Sequence, residues 1–166
     1  MKNKFFILSL MLFSLFSTKG QEVESKSYSI MLKSLLSHQV DEVSVKDVTV
    51  DANTVFIDSR EKKEFDVSHL PNAIWVGYDQ LNLAPLDNID KNQKIIVYCS
   101  IGFRSEKVCM QLKEKGFTNV FNLYGGIFEW KNQEKKVVDQ SGTATEKVHA
   151  YSPAWGIWLT KGEKVY

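Results

Sequence analysis

The stretch KIIVYC, residues 94–99, constrains the fold more than any other part of the chain. Successive side chains of a strand point to opposite faces, so a strand with one wet face alternates apolar and polar residues. Ile95, Ile96, Val97 and Tyr98 show no such alternation. A strand of this kind belongs in a sheet covered on both faces. The next residues, SEKVCMQLKEKG, predict a helix over 105–115 that Gly116 stops. NVFNLYGG, residues 119–126, is a second apolar strand with its turn. Strand, helix and strand in succession make a crossover between parallel strands.

The remaining elements alternate in the same way. Tyr28, Met31, Leu32, Leu35 and Leu36 recur at helical spacing and predict a short amphipathic helix over 28–38. Residues 21–27 are polar and read as a flexible lead-in to it. Val43, Val45, Val48 and Val50 fit a weak strand, and TVFIDS, 54–59, a compact one. EKKEFDVSHL, 61–70, has the acids and spacing of a short helix. Pro71 and Asn72 turn the chain into the strand AIWVG, 73–77. Residues 78–93 are irregular with a proline break, and IFEWKNQ, 127–133, starts one more helix. The expected fold is α/β, a central parallel sheet of about five strands flanked by helices on both faces. Residues 140–166 carry Tyr151, Trp155, Trp158 and Tyr166, too apolar for a loose linker. This tail is expected to pack on the domain and to contribute no chemistry.

The first twenty residues stand apart. MKNK supplies two lysines, residues 5–16 are apolar but for Ser9 and Ser14, and STKG offers small residues before Gln21. That order is the one found in a secretory signal peptide. The 12-residue apolar run falls short of the roughly 20 residues a membrane-spanning helix needs. The expectation is residues 1–20 as a signal peptide, 21–42 as lead-in and helix, and 43–139 as the domain proper. The product is expected to be periplasmic or secreted, with no membrane association after cleavage. Losing Lys2, Lys4 and Lys19 and no acid turns the formal charge of +1 into −2. With no basic cluster and no aromatic–basic interleaving, a nucleic-acid partner is not expected. An exported protein meets an oxidising compartment, where its two cysteines could pair. Cys109, however, shares a helical face with Val108 and Leu112 and reads as a small buried hydrophobe.

Cys99 is different, because it stands where the best strand ends and a helix begins. Ligands of open α/β sheets bind beyond the carboxyl ends of the strands. A loop in that place can aim successive backbone N–H groups at one point, and the helix N-terminus adds partial positive charge. Gly102 permits the backbone angles of such a cradle, and Arg104 adds a permanent cation. A thiol at the rim would have its thiolate favoured, giving a nucleophilic sulfur over an anion pocket. No other cysteine or histidine stands at ligand spacing, so a metal site is not expected.

Three motifs together resemble the rhodanese-like sulfurtransferases. IDSREKKEFDVSHLPNA, residues 57–73, resembles the family's upstream motif through Asp58, Arg60, Glu64, Phe65, His69 and Ala73. YCSIGFRS resembles its active-site loop, and LYGGIFEW, residues 123–130, its closing motif. The resemblance implies a single-domain member in which Cys99 accepts a sulfane sulfur as a persulfide. The N–H groups of Ser100, Ile101, Gly102, Phe103 and Arg104 would hold the terminal sulfur. No cofactor is implied. The partners implied are a small sulfur donor and a thiol, cyanide or protein-thiol acceptor. Phosphatases related to this fold use a loop one residue longer, whereas four residues separate Cys99 from Arg104 here. A phosphatase or arsenate reductase is therefore a minor alternative, and a non-catalytic binding or relay module is the other. Some thiosulfate-using members carry a basic residue after the cysteine. Ser100 stands there instead, and Ile101 and Phe103 are apolar, which points to a less charged donor or a protein surface.

Other polar residues have plainer readings. Asp58 and Arg60 are expected to form a structural ion pair, with Arg60 also a candidate to touch substrate. His69 reads as a hydrogen-bonded structural histidine, and His38 and His149 as surface or tail residues. Tyr124, Gly125 and Gly126 are expected to shape the turn beside the loop, and Phe128 and Trp130 to lie in the core.

Overall fold

A computed structural model describes residues 22–166, and the signal-peptide reading of residues 1–20 lies outside the described residues. Helix α1 spans Lys26–Leu35, strand β1 Glu42–Ser44, β2 Thr54–Asp58, α2 Lys62–Val67, β3 Ile74–Trp75 and β4 Lys94–Tyr98. Helix α3 spans Phe103–Glu114, β5 Val120–Tyr124 and α4 Gly126–Asn132. Strands β6 (Val137–Val138), β7 (Ala144–Thr145) and β8 (Lys147–His149), helix α5 (Pro153–Gly156) and strand β9 (Glu163–Val165) complete the chain.

Strands β1 to β5 form one sheet in the order β1-β5-β4-β2-β3, every pair parallel. The unalternating apolar run has the consequence expected of it. Ile95 and Val97 of β4 face one core with Ile57, Val108, Cys109, Leu112 and Phe117. Ile96 and Tyr98 face the other, with Tyr28, Leu32, Phe56, Leu123, Ile127, Phe128 and Trp130. Helix α3 thus covers one face, and α1 and α4 the other. Chain direction diverges between β2 and β4. From β2 the chain passes outward through α2 to β3, and from β4 it passes the other way through α3 to β5. The crevice opens at this switch point.

Several elements depart from their sequence expectations for local reasons. Helix α3 begins at Phe103, two residues before the predicted start, because Gly102 (φ 114°) makes the left-handed turn and leaves Phe103 free to open the helix. Helix α1 runs 26–35, since Ser25 caps it by accepting the Tyr28 N–H. The lead-in is ordered by packing. Glu22 N–H donates to Ser44 Oγ and Glu24 N–H to Glu129 Oε1, while Val23 packs on the core. Strand β1 is short, because the chain enters a 3-10 turn at Val45–Asp47. Strand β3 keeps only two residues.

The tail packs on the second core through Val148, Ala150 and Leu159, and Trp158 stacks on Tyr28 with ring centroids 5.3 Å apart. Strands β6 and β7 form an antiparallel hairpin, and β8 and β9 a parallel pair. His149, read from sequence as a surface or tail residue, is instead 4% exposed, because β8 lies against α2. His38 remains exposed and pairs with Glu42 at 3.1 Å. No helix among the described residues is long and apolar enough to cross a membrane.

Gly126 has no room for a side chain. A Cβ there would lie 2.4 Å from the Cys99 carbonyl oxygen and 2.6 Å from the Ser100 carbonyl carbon, both backbone atoms that cannot swing aside. Gly142, also at positive φ, has nothing within 4 Å. Gly126→Ala is expected to lower stability in urea by about 3 kcal/mol or more, and Gly142→Ala by only about 1 kcal/mol of backbone strain. Equal losses would show that the packing of Gly126 on the loop is not what holds the loop.

Candidate active site

The loop after β4 is shaped by where its carbonyls go. Ile127 N–H donates to Cys99 C=O at 2.9 Å, and Phe128 N–H to Ser100 C=O at 3.1 Å. Asn122 Nδ2 donates to Gly102 C=O at 3.0 Å, and Ser105 Oγ holds Asn122 Oδ1 at 2.7 Å. In a planar trans peptide the N–H points opposite to the C=O. With these carbonyls turned toward α4 and β5, the amides of Ser100, Ile101 and Phe103 are turned the other way. Gly102 N–H lies 3.2 Å from Cys99 Sγ. The sulfur therefore sits where the loop's donors gather.

Burial alone would push the Cys99 thiol up. The Arg104 charge, the N–H and hydroxyl of Ser105 and the N–H of Ile101 outweigh it, so its pKa lies below the ordinary 9.0. Cys109 behaves oppositely: burial pushes its thiol well up, leaving it inert. Both cysteines are free.

Arg104 does not face the pocket as a bare cation. Its Nη1 donates to Glu64 Oε2 at 2.7 Å and its Nη2 to Glu64 Oε1 at 2.7 Å, a bidentate clamp. Ser100 joins it, donating to Glu64 Oε1 at 3.1 Å and accepting from Arg104 Nη2 at 3.0 Å. Glu64 is fully buried, which would raise its pKa, yet the Arg104 hydrogen bonds and charge and the nearby Arg60 hold the carboxyl below its ordinary value. Its Oε2 also accepts the Glu61 N–H at the start of α2. Helix α2 and the β4 loop thus meet across the switch point through one ion pair.

Asp58 and Arg60 form the expected structural pair. Arg60 Nη2 donates to Asp58 Oδ2 and to Ser68 C=O, both at 2.6 Å, and both side chains are wholly buried. Neither lines the cleft above the cysteine. His69 is likewise structural, with Nδ1 3.1 Å from Phe65 C=O and its ring stacked on Phe65.

The cleft over the loop has a volume of about 400 Å³. Its walls include Ser100, Ile101, Phe103 and Arg104 from the loop and Glu61, Tyr78 and Asp79 from the β2 and β3 side, with Tyr151 and Trp155 from the tail. Cys99, 1% exposed, is not itself a lining residue; it lies directly beneath Ser100 and Ile101, which are. The tail, in which the sequence showed no chemistry, supplies one wall of the cleft. Sequence reading also missed Glu64 as the partner of Arg104, since forty positions separate them and no local pattern links them. A glutamate three residues after Glu61 signalled only a helix start.

Two measurements probe this geometry. Glu64→Gln is expected to cost about 3 kcal/mol at pH 7, because it leaves the Arg104 charge without its counter-ion in a mostly buried place. Glu64 has a depressed folded pKa, so its contribution is fully present above the ordinary 4.5 and is lost as pH falls through the lower folded value. The gap between wild type and variant should therefore narrow only in acid below pH 4.5. Second, the ultraviolet thiolate absorbance that disappears in Cys99→Ser should titrate below 9.0. Titration at or above that value would mean the loop does not favour the anion.

Comparisons with known proteins bear on the family and the fold. Residues 43–133 match the rhodanese-like domain. A tRNA uridine(34) hydroxylase of Yersinia enterocolitica is 36% identical over 107 residues, and one of Yersinia pestis is 35% identical. Each alignment covers 61% of this chain but 30% of the relative, so the chain spans under a third of those proteins' length. Among solved structures, a thiosulfate sulfurtransferase from Pseudomonas aeruginosa superposes with a TM-score of 0.56 at 20% identity, over 68% of this chain and 23% of that one. A Bacillus halodurans protein superposes with a TM-score of 0.55 at 23% identity, over 68% and 84%. These two establish the shared fold. With the domain match covering more than half of its residues, the chain belongs to the rhodanese-like family.

Proposed function

We propose that the protein is an exported sulfurtransferase that carries a sulfane sulfur on Cys99. One observation carries this reading: Cys99 Sγ lies 3.2 Å from the Gly102 N–H, in a loop whose Cys99, Ser100 and Gly102 carbonyls are engaged outside it. The thiolate attacks the outer sulfur of a donor, a new S–S bond forms to Cys99, and the donor's own S–S bond breaks with its electron pair on the departing thiolate or sulfite. The outer sulfur of the persulfide then occupies the ring of N–H groups from Ser100 to Arg104. An acceptor thiolate or cyanide attacks that sulfur, and Cys99 leaves as a thiolate stabilised by the same donors.

Loop size supports sulfur over phosphorus as the electrophile. Four residues lie between Cys99 and Arg104, and Arg104 is already committed to Glu64, which leaves little to neutralise a phosphoryl dianion. The tRNA hydroxylation for which the Yersinia relatives are named finds less support. The cleft walls carry the acids Glu61 and Asp79 and the single base Arg104, the wrong balance for a polyanion.

The test is to mix the protein with thiosulfate or inorganic polysulfide, weigh it intact, then add cyanide. A gain of one sulfur atom, lost to cyanide as thiocyanate and absent in Cys99→Ser, is the expected result. Turnover in that variant should fall by about a thousandfold or more. Loading that persists without Cys99, or no loading from either donor, would reject the sulfurtransferase reading and favour a binding module.

A further inference from the structure

The tail residues beside the loop lie outside the stretch that matches the rhodanese-like domain, which ends at residue 133. Tyr151 is held there against a conformational preference. Its φ of 65° is left-handed, where an aromatic residue is strained. Three bonds keep it so. Tyr151 N–H donates to Nδ1 of the buried His149 at 3.1 Å, Ala150 N–H donates to Val165 C=O at 2.8 Å, and Ser152 N–H donates to Ala150 C=O at 2.8 Å. Burial pushes His149 below its ordinary pKa, in keeping with an Nδ1 that accepts. The result of this turn is that the Tyr151 ring stands over Arg104, with the guanidinium carbon 5.2 Å from the ring centroid. Tyr151 is 50% exposed and lines the cleft, and Trp155 from α5 lines it too.

Arg104 is therefore engaged by Glu64 along two N–H bonds, by Ser100 and by the Tyr151 face. A donor bearing a second negative group finds no uncommitted cation among the residues lining the cleft, and it meets Glu61 and Asp79 there. Leu35, Ile101, Phe103, Tyr151 and Trp155 offer apolar surface instead. A cleft of about 400 Å³ suits a small organic molecule.

We propose that the tail is part of the active site, with Tyr151 and Trp155 selecting an organic hydropersulfide of apolar body and no second anionic group over thiosulfate. This rests on the sulfurtransferase reading. In the transfer step the Cys99 thiolate attacks the terminal sulfur of R–S–SH. The Sγ–S bond forms, the donor S–S bond breaks, and R–S⁻ departs with the bonding pair, leaving Cys99–S–SH. Atoms, charge and oxidation level balance without a further reagent. Tyr151 acts as a positioning and specificity residue, through Arg104 and through the cleft wall.

The test measures the rate of Cys99 loading by intact mass, in a single turnover, with benzyl hydropersulfide and with thiosulfate. Wild type, Tyr151→Gly, Tyr151→Phe and Trp155→Ala are compared. Tyr151→Gly suits the left-handed backbone, so it removes the ring without adding strain. The ratio of apparent second-order rates, benzyl hydropersulfide over thiosulfate, should fall about tenfold or more in Tyr151→Gly. It should fall in Trp155→Ala as well, while Tyr151→Phe, which keeps the ring face, retains the wild-type ratio. A general loss of folding would slow both donors alike and leave the ratio unmoved. A ratio within twofold of wild type in both Tyr151→Gly and Trp155→Ala overturns the proposal while Cys99 still loads. Failure of both donors to load the wild-type protein removes the sulfurtransferase reading and this inference with it.

Discussion

Everything at this site depends on the direction of three peptide planes. Helix α4 donates Ile127 and Phe128 N–H groups to the Cys99 and Ser100 carbonyls, and Asn122 donates to that of Gly102. Each carbonyl so engaged turns the following amide to the opposite side. The cradle for an anionic sulfur is thus made from outside, by elements that never touch the sulfur. Contact between α4 and the loop has to be close for this, which is why residue 126 can carry no Cβ. The same contact seats Ile127 and Phe128 in the core, so the apolar burial that stabilises the domain also fixes the loop. Stability and chemistry are coupled through one set of hydrogen bonds.

The Glu64–Arg104 pair adds a second constraint. A wholly buried carboxylate is costly unless its partner is close and well oriented, and here two 2.7 Å bonds and the Ser100 hydroxyl supply that geometry. The pair ties α2 to the loop across the switch point between β2 and β4. It also changes what the loop can bind. An unpaired arginine would make a site for dianions, whereas the paired Arg104 still favours the Cys99 thiolate by its charge but shares the site's positive potential with the backbone amides. Amides turned toward one point suit a single polarizable atom of one negative charge, which describes the outer sulfur of a persulfide.

The architecture was largely legible because it rests on local patterns. The apolar run of β4 required two covered faces, and Ile95 and Ile96 do belong to opposite cores. Gly102 and Gly116 marked turns that only positive φ allows, and both adopt it. Cys99 stood out because a strand end, a glycine and a helix start are neighbours in sequence. What escaped was non-local. Glu64 meets Arg104 and Tyr151 meets Arg104 only because the sheet order brings their segments together, and nothing near any of the three announces it. His149 escaped similarly: three residues of β8 read as tail until their packing against α2 buries the ring. The polar residues of the 21–27 lead-in suggest flexibility, yet the backbone groups of Glu22 and Glu24 find Ser44 and Glu129 as partners.

The placement of the sulfur resolves a tension in the chemistry. A thiolate of lowered pKa reacts readily with oxidants, and Cys99 has no second reactive thiol nearby to resolve such damage, since the Cys109 thiol is inert. Cys99 is only 1% exposed, beneath residues that form the cleft floor. The cleft above those residues has walls that are in good part aromatic and aliphatic. A molecule that fills this space excludes water from above the loop, which strengthens the loop's electrostatic hold on an anion beneath it. The residues that stand between the thiolate and bulk water are thus the walls of the cleft, two of them from a tail that lies beyond the stretch matching the rhodanese-like domain.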